Sequence, residues 1–178
     1  MGVPVIRPTA IAVYVFRVGG TGGAGCAGER LYEFLQIRRS AKARGHAGLW
    51  QTVYGGVEMD AAGPEGRETA VVAALRELRE ETGLVPARMF QVEYLETFYF
   101  RPTDAVLLMP VFGVEVGREA EVRLNEEHDG ARWVGEGEIG EKFMWRTQRE
   151  ALGILLEQLR RPGSAAALLE IDLGATGR

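Results

Sequence analysis

Glu77, Glu80 and Glu81 fall three and four positions apart in the run Arg76-Glu77-Leu78-Arg79-Glu80-Glu81-Thr82-Gly83-Leu84. On an α-helix that spacing sets three carboxylates side by side on one surface. Like charges so placed repel, and they repel most in a last turn, where the helix dipole is already negative. A divalent cation reverses the sign of the problem. Mg²⁺ takes a few carboxylate oxygens and leaves the rest of its shell to water and substrate phosphates. The stripe therefore predicts a site for Mg²⁺, or for Mn²⁺ in its place. The competing reading is a solvated acidic face, because Glu forms helices well and charged runs commonly face water.

The elements that would position these groups are legible around them. Val71, Ala74, Leu75 and Leu78 repeat as an apolar stripe on the other side, which predicts a packed helix. Gly83 ends it in the left-handed conformation, and Leu84 folds back onto the apolar face. Glu68 stands about two helical turns before Arg76, within reach of its guanidinium fork. Further upstream, Gly55-Gly56 follows a strand-like stretch, Leu49 to Tyr54.

Taken together, the segment from Gly55 to Leu84 resembles the signature of the Nudix hydrolases, G-x5-E-x7-R-E-U-x-E-E-x-G-U with U aliphatic. Every position from Glu68 to Leu84 matches. The departure is upstream: eleven residues, Val57 to Arg67, separate Gly56 from Glu68, where the family has five. An insertion of six around Asp60 to Glu65, rich in small residues with Gly and Pro, reads as a loop. It puts the position of the glycine backbone in question, because in the family that backbone helps to hold the metal.

The resemblance implies hydrolysis of a phosphoanhydride by water, with metal ligands at Glu77, Glu80, Glu81 and the Gly56 backbone. Glu77 and Glu80 are each candidates for the base that takes the water's proton. The family also brings a glutamate from outside the motif, for which Glu127 in Asn125-Glu126-Glu127-His128 is the first choice; its alternative is an exposed loop acid. His128 reads more readily as a packing or hydrogen-bonding residue than as a catalyst. Arg76 is either a catalytic contact to phosphate or, paired with Glu68, a support behind the ligands. Arg38 and Arg39 end a strand near the expected substrate and point to opposite faces, so one should meet phosphates and the other water. Trp50 is a candidate ring platform, with Tyr54, Tyr99, Phe100 and Trp145 as alternatives; each also fits a core or sheet role.

Within the family, Arg7-Pro8, Leu35-Gln36 with Arg38-Arg39, Trp50 to Val53, Glu127-His128 with Trp133, and Trp145 resemble bacterial dihydroneopterin triphosphate pyrophosphatases, also described as dATP pyrophosphohydrolases. That likeness implies release of pyrophosphate from a pterin or nucleoside triphosphate. The alternatives are dinucleoside polyphosphate or ADP-ribose hydrolysis, and a non-catalytic nucleotide-sensing module. A degenerate motif would favour the module, whereas every acidic position here is intact.

Composition sets the frame. The 178 residues, 46% of them apolar, suffice for one domain spanning 1–178 with a proper core. A net charge of −4 argues against a nucleic-acid polymer as partner. Cys26 is the only cysteine, so an intrachain disulfide is impossible and a reducing cytoplasm is expected. No apolar run has membrane-spanning length. The family's habit implies a possible homodimer.

Strands are predicted over Pro8–Phe16, Leu31–Arg39, Phe90–Phe100, Ala105–Val116 and Ala131–Val134. Glycine-rich 19–25 reads as a hairpin loop, and 40–48 as a loop carrying Lys42, Arg44 and His46. A closing helix should bury Leu152, Leu155, Leu156 and Leu159 and stop at Pro162-Gly163. A short helix over Ala165–Glu170 and a frayed tail over 172–178 complete the reading. The expected fold is α/β (α+β), and the resemblance makes it an α/β/α sandwich with a mixed central sheet.

Overall fold

From Ile11 to Phe16 every residue is apolar and buried. A strand with no polar side must be covered on both faces, and the computed structural model, which describes residues 6–21, 30–43, 46–59, 66–161, 163 and 165–174, covers it so. The order is β1 (Ala10–Thr21), β2 (Arg30–Arg39), β3 (Trp50–Gln51), β4 (Val53–Gly56), α1 (Ala70–Thr82), β5 (Arg88–Phe100), β6 (Ala105–Glu115), β7 (His128–Gly135), α2 (Ile139–Lys142), α3 (Arg146–Arg160) and α4 (Ala166–Leu169).

The seven strands form one mixed sheet, in which β1 and β6 run parallel and the other pairs are antiparallel. Ile11, Val13 and Val15 point to one face, where they meet Ala74 and Leu78 of α1. Ala12, Tyr14 and Phe16 point to the other, against Ala151, Leu152 and Leu155 of α3. These are the two helical layers of the expected sandwich. Gly113 of β6 lets α3 sit close, since a Cβ there would lie 2.6 Å from Leu155 Cδ1. Truncating a fully buried leucine such as Leu78 or Leu152 to alanine should cost about 2–5 kcal/mol.

One irregularity positions the site. β1 and β2 pair only from Thr21↔Arg30 to Phe16↔Phe34 and part beyond that pair, towards the start of β1 and the end of β2. Residues 50–56 enter the fork, so β3 pairs with β2 and β4 with β1. The single strand expected over Leu49–Tyr54 is therefore two, broken at buried Thr52, whose hydroxyl donates to the Val13 carbonyl. Gly55 and Gly56 lie inside β4 rather than after it, opposite Ile11 and Ala10.

Other boundaries shift modestly. β1 runs on through Gly20 to Thr21, into the segment expected as a loop, because β2 continues to pair with it there. β7 is longer than 131–134 because β2 pairs with it from Glu33 to Arg39. Of the α3 stripe, Leu152 and Leu155 are buried, while Leu156 and Leu159 pack partly buried against the same core. Ile171 N–H donates to the Met89 carbonyl at 2.8 Å, tying the chain down before the turn at 173–174. Gly22–Cys26, Arg44, Asp60–Glu65, Pro162 and the tail from 175 lie outside the described residues. No helix among the described residues is long and apolar enough to cross a membrane.

Candidate active site

The acidic helix is framed as its sequence requires. Thr69 caps α1 by accepting from Val72 N–H at 3.3 Å, and Gly83 closes it at φ 67° with its N–H on the Arg79 carbonyl. Glycine is needed there twice over: L side chains rarely adopt that φ, and a Cβ would stand 3.2 Å from Arg123 Cβ. Leu84 is buried, as the fold-back onto the apolar face demands.

Arg76 organises the stripe. Its Nε and Nη2 donate to the two oxygens of Glu68, each at 3.0 Å, a forked pair. Nη1 donates to Glu77 Oε1 at 2.9 Å and to Glu80 Oε2 at 3.2 Å, and Nη2 also reaches the Gly56 carbonyl at 2.8 Å. The guanidinium beside it holds the Glu68 carboxyl below the usual carboxylate range, and Arg76 itself is held firmly protonated.

With the insertion in place, the glycines lie against the acidic helix. Glu68 N–H donates to the Glu58 carbonyl at 2.9 Å, and Glu58 N–H donates to Glu68 Oε2 at 3.1 Å, so the two ends of the longer loop are fastened together. Gly56 N–H then reaches Glu77 Oε1 at 3.2 Å. At Gly55 a Cβ would lie 2.0 Å from Glu77 Cγ, which makes glycine obligatory for this approach.

Glu81 differs from its neighbours. It is 5% exposed rather than on an open helix face, and its Oε2 has no hydrogen-bond partner. Burial first, then the charges of Glu77 and Glu127, push its carboxyl up to about 8, against the pull of Arg39. Burial also raises Glu77. Glu127 stands across from this group on an exposed turn, with Arg39 Nη2 3.5 Å from its Oε2. The turn is held by Ser40, whose N–H and hydroxyl donate to the Glu127 and Glu126 carbonyls, and by Asn125 Oδ1, which accepts from Glu127 N–H.

Among the described residues no three acidic, histidine or cysteine side chains converge as a finished metal cage. Glu77 and Glu80 are turned onto Arg76 instead. The donor set nevertheless fits a hard cation: three carboxylates and a carbonyl oxygen on one surface, one carboxylate buried with an unsatisfied oxygen.

The remaining expected residues divide. Arg39 faces the acidic cluster, whereas Arg38 donates to Asp129 at 2.7 Å with its guanidinium 5.6 Å from the Trp50 ring. Arg132 lies over the same ring at 4.1 Å. His128 is buried, with Nδ1 3.2 Å from Asn125 Oδ1 and Nε2 unpartnered. Burial lowers its pKa, so it stays neutral and braces the turn. From Gly55 and Gly56 a cleft of about 390 Å³ runs past Trp50 to Phe98 and Trp145. Glu96 also lines it, a residue the sequence reading passed over, although its place among Phe90, Val92, Tyr94, Phe98 and Phe100 on alternate positions of β5 marks it as an inward-facing charge.

The chain belongs to the NUDIX family, whose domain model matches residues 8–152. Among solved structures it is similar to the MutT protein from Methanosarcina mazei Go1, at 26% identity and TM-score 0.57 over 89% of this chain and all of that one. A Listeria monocytogenes protein assigned to the NUDIX hydrolases shares the fold at TM-score 0.61 and 22% identity, over 86% of this chain and 94% of the other. Among curated proteins it is 35% identical over 121 residues to an octanoyltransferase of Myxococcus xanthus. That match covers 66% of this chain and only 30% of the relative's length.

Proposed function

We propose that this chain hydrolyses a nucleoside or pterin triphosphate in a Mg²⁺-dependent reaction and releases pyrophosphate. The observation that carries this reading is Glu81: a buried carboxylate with an unpartnered oxygen, set among Glu77, Glu80 and Glu127, is costly alone and is stabilised by a cation. Glu77, Glu80, Glu81 and the Gly56 carbonyl would hold the ion. An ion held there would supply positive charge to the phosphate oxygens and make an attacking water easier to deprotonate.

The chain's own groups do the rest. Arg76 orients Glu77, Glu80 and the glycine carbonyl at once, so it acts as a positioning residue anchored by Glu68. Glu77, Glu80 and Glu127 are the candidates to take the proton, and Arg39 is placed to balance charge as the anhydride bond breaks. The cleft that opens beside Gly56 supports a substrate with a planar ring at the end remote from the scissile phosphates. We read 1–178 as one domain working in a reducing cytoplasm.

The test is incubation with Mg²⁺ and dihydroneopterin triphosphate, nucleoside triphosphates, dinucleoside polyphosphates and ADP-ribose, with assay of the phosphate species released. Pyrophosphate from the pterin or from a nucleoside triphosphate is expected. Turnover confined to dinucleotides or ADP-ribose contradicts the proposed substrate class, and no turnover at all contradicts the catalytic reading.

A further inference from the structure

Glu96 is 2% exposed, yet it is one of the residues that line the cleft. Three hydroxyls converge on it. Tyr14 donates to Oε1 at 2.5 Å, and Tyr54 and Thr147 donate to Oε2 at 3.0 and 3.3 Å. The direction of the Tyr54 bond is fixed from outside: Gln148 Nε2 donates to the Tyr54 oxygen at 3.2 Å, so the single phenolic proton of Tyr54 goes to Glu96. Gln148 is in turn oriented by Trp145 N–H, 3.4 Å from its Oε1.

A carboxylate offers about four lone-pair positions, and the three hydroxyls occupy three. Among the described residues, the second acceptor position of Oε1 has no donor. Another opens if Thr147, the longest of the three bonds and on the cleft wall, turns its proton away. The same cleft is lined by the rings of Trp50, Phe98, Phe100 and Trp145 and by apolar Leu107 and Met109. Aromatic walls take a planar ring, and a carboxylate among them takes its N–H groups. Stability alone is a poor reason for the charge, since an apolar residue of similar size would continue the face of Phe98 and Phe100 without the desolvation cost.

We propose that Glu96 selects the ring: it accepts the adjacent N–H and amino donors of a 2-amino-oxo pyrimidine edge, as in guanine and pterin, in preference to the edge of adenine. Adenine sets one amino donor beside a ring nitrogen whose lone pair would face the carboxylate. This deepens the reading of the site as a triphosphate hydrolase and rests on it only for which end of the cleft holds the phosphates.

Binding of GMP, IMP, AMP and neopterin to the intact chain, followed by quenching of tryptophan fluorescence, tests it without hydrolysis, because none of these ligands has an anhydride bond. IMP lacks only the 2-amino group of GMP, so it should bind roughly tenfold or more weakly. AMP should be as weak, and Glu96→Gln should bring GMP and IMP to within about twofold of each other. Comparison of neopterin with GMP then tells which ring is the better occupant. Equal binding of GMP, IMP and AMP, no binding of any ligand, or an unchanged GMP preference in the variant would each overturn the proposal. The ligand series on the unaltered chain decides the matter even where the variant does not fold. Loss of the hydrolysis reading shows differently, as intact GMP preference with no release of pyrophosphate from any triphosphate.

Discussion

Glu81 and Glu96 are both buried carboxylates, 5% and 2% exposed, on opposite faces of one sheet, and their surroundings could hardly differ more. Around Glu96 three hydroxyls donate inward, and a glutamine fixes the direction of one of them, Tyr54. Around Glu81 the neighbours are Glu77, Glu80 and Glu127, and one carboxylate oxygen has no partner. Burial raises both groups' pKa, but only Glu96 has local donors that pull it back. The lesson is that burial alone does not mark a reactive carboxylate. A satisfied buried acid can read a ligand, whereas an unsatisfied one among like charges calls for a cation.

The sharpest way to break that comparison is to remove each charge in turn. Glu81→Gln should lower turnover by about 10²-fold or more, by losing a charged metal ligand, and leave the fold intact. Glu96→Gln should do the reverse to the fold: the amide N–H₂ meets hydroxyl donors and leaves one or more unsatisfied, at about 1–3 kcal/mol each. For a chain of this size that lowers Tm by roughly 2–4 °C per kcal/mol. Steady-state assays and thermal melts on the same two proteins check both statements. A Glu96→Gln protein that melts with wild type would show that the hydroxyl network contributes little.

A pH series on metal-free protein sharpens the comparison further. The Glu81 carboxyl is raised to about 8 in the folded chain, against about 4.3 for an unfolded glutamate. Between these values the folded state keeps a proton that the unfolded state has lost, so stability falls as pH rises through this window and levels above it. Glu77, also raised, adds in the same direction, while Glu68, lowered by Arg76, loses its contribution only as pH falls below the ordinary carboxylate range. Glu81→Gln should flatten the fall, and added Mg²⁺ at pH 8 should reverse it in wild type. The smallest effect is expected from deleting Asp60–Glu65: the Glu58–Glu68 pair closes the loop below the cut, so activity should stay within about twofold.

How much of this was legible beforehand follows the range of the interactions. The cap at Gly83, the stripe on α1 and the Arg76–Glu68 pair are set by residues close in sequence, and periodicity exposes them. The fate of Gly55 and Gly56 was open, because it depends on backbone bonds that close a long loop and on a strand wedged between β1 and β2. The burial of Glu81 was invisible for a similar reason. Arg39 and Glu127, whose charges act on it, lie far along the chain. Glu96 left a signal in the alternation of β5, but its hydroxyl partners come from β1, β4 and the start of α3, which no local pattern joins.

The central claim is that the acidic face of α1 is a divalent-cation site that needs Glu81. Titration of Mn²⁺ into wild-type and Glu81→Gln protein at neutral pH, with free ion counted by electron paramagnetic resonance, tests it without reference to any substrate. The account predicts binding by wild type and an affinity lower by at least about tenfold in the variant. Equal Mn²⁺ binding by the two proteins, or none by wild type, would contradict it.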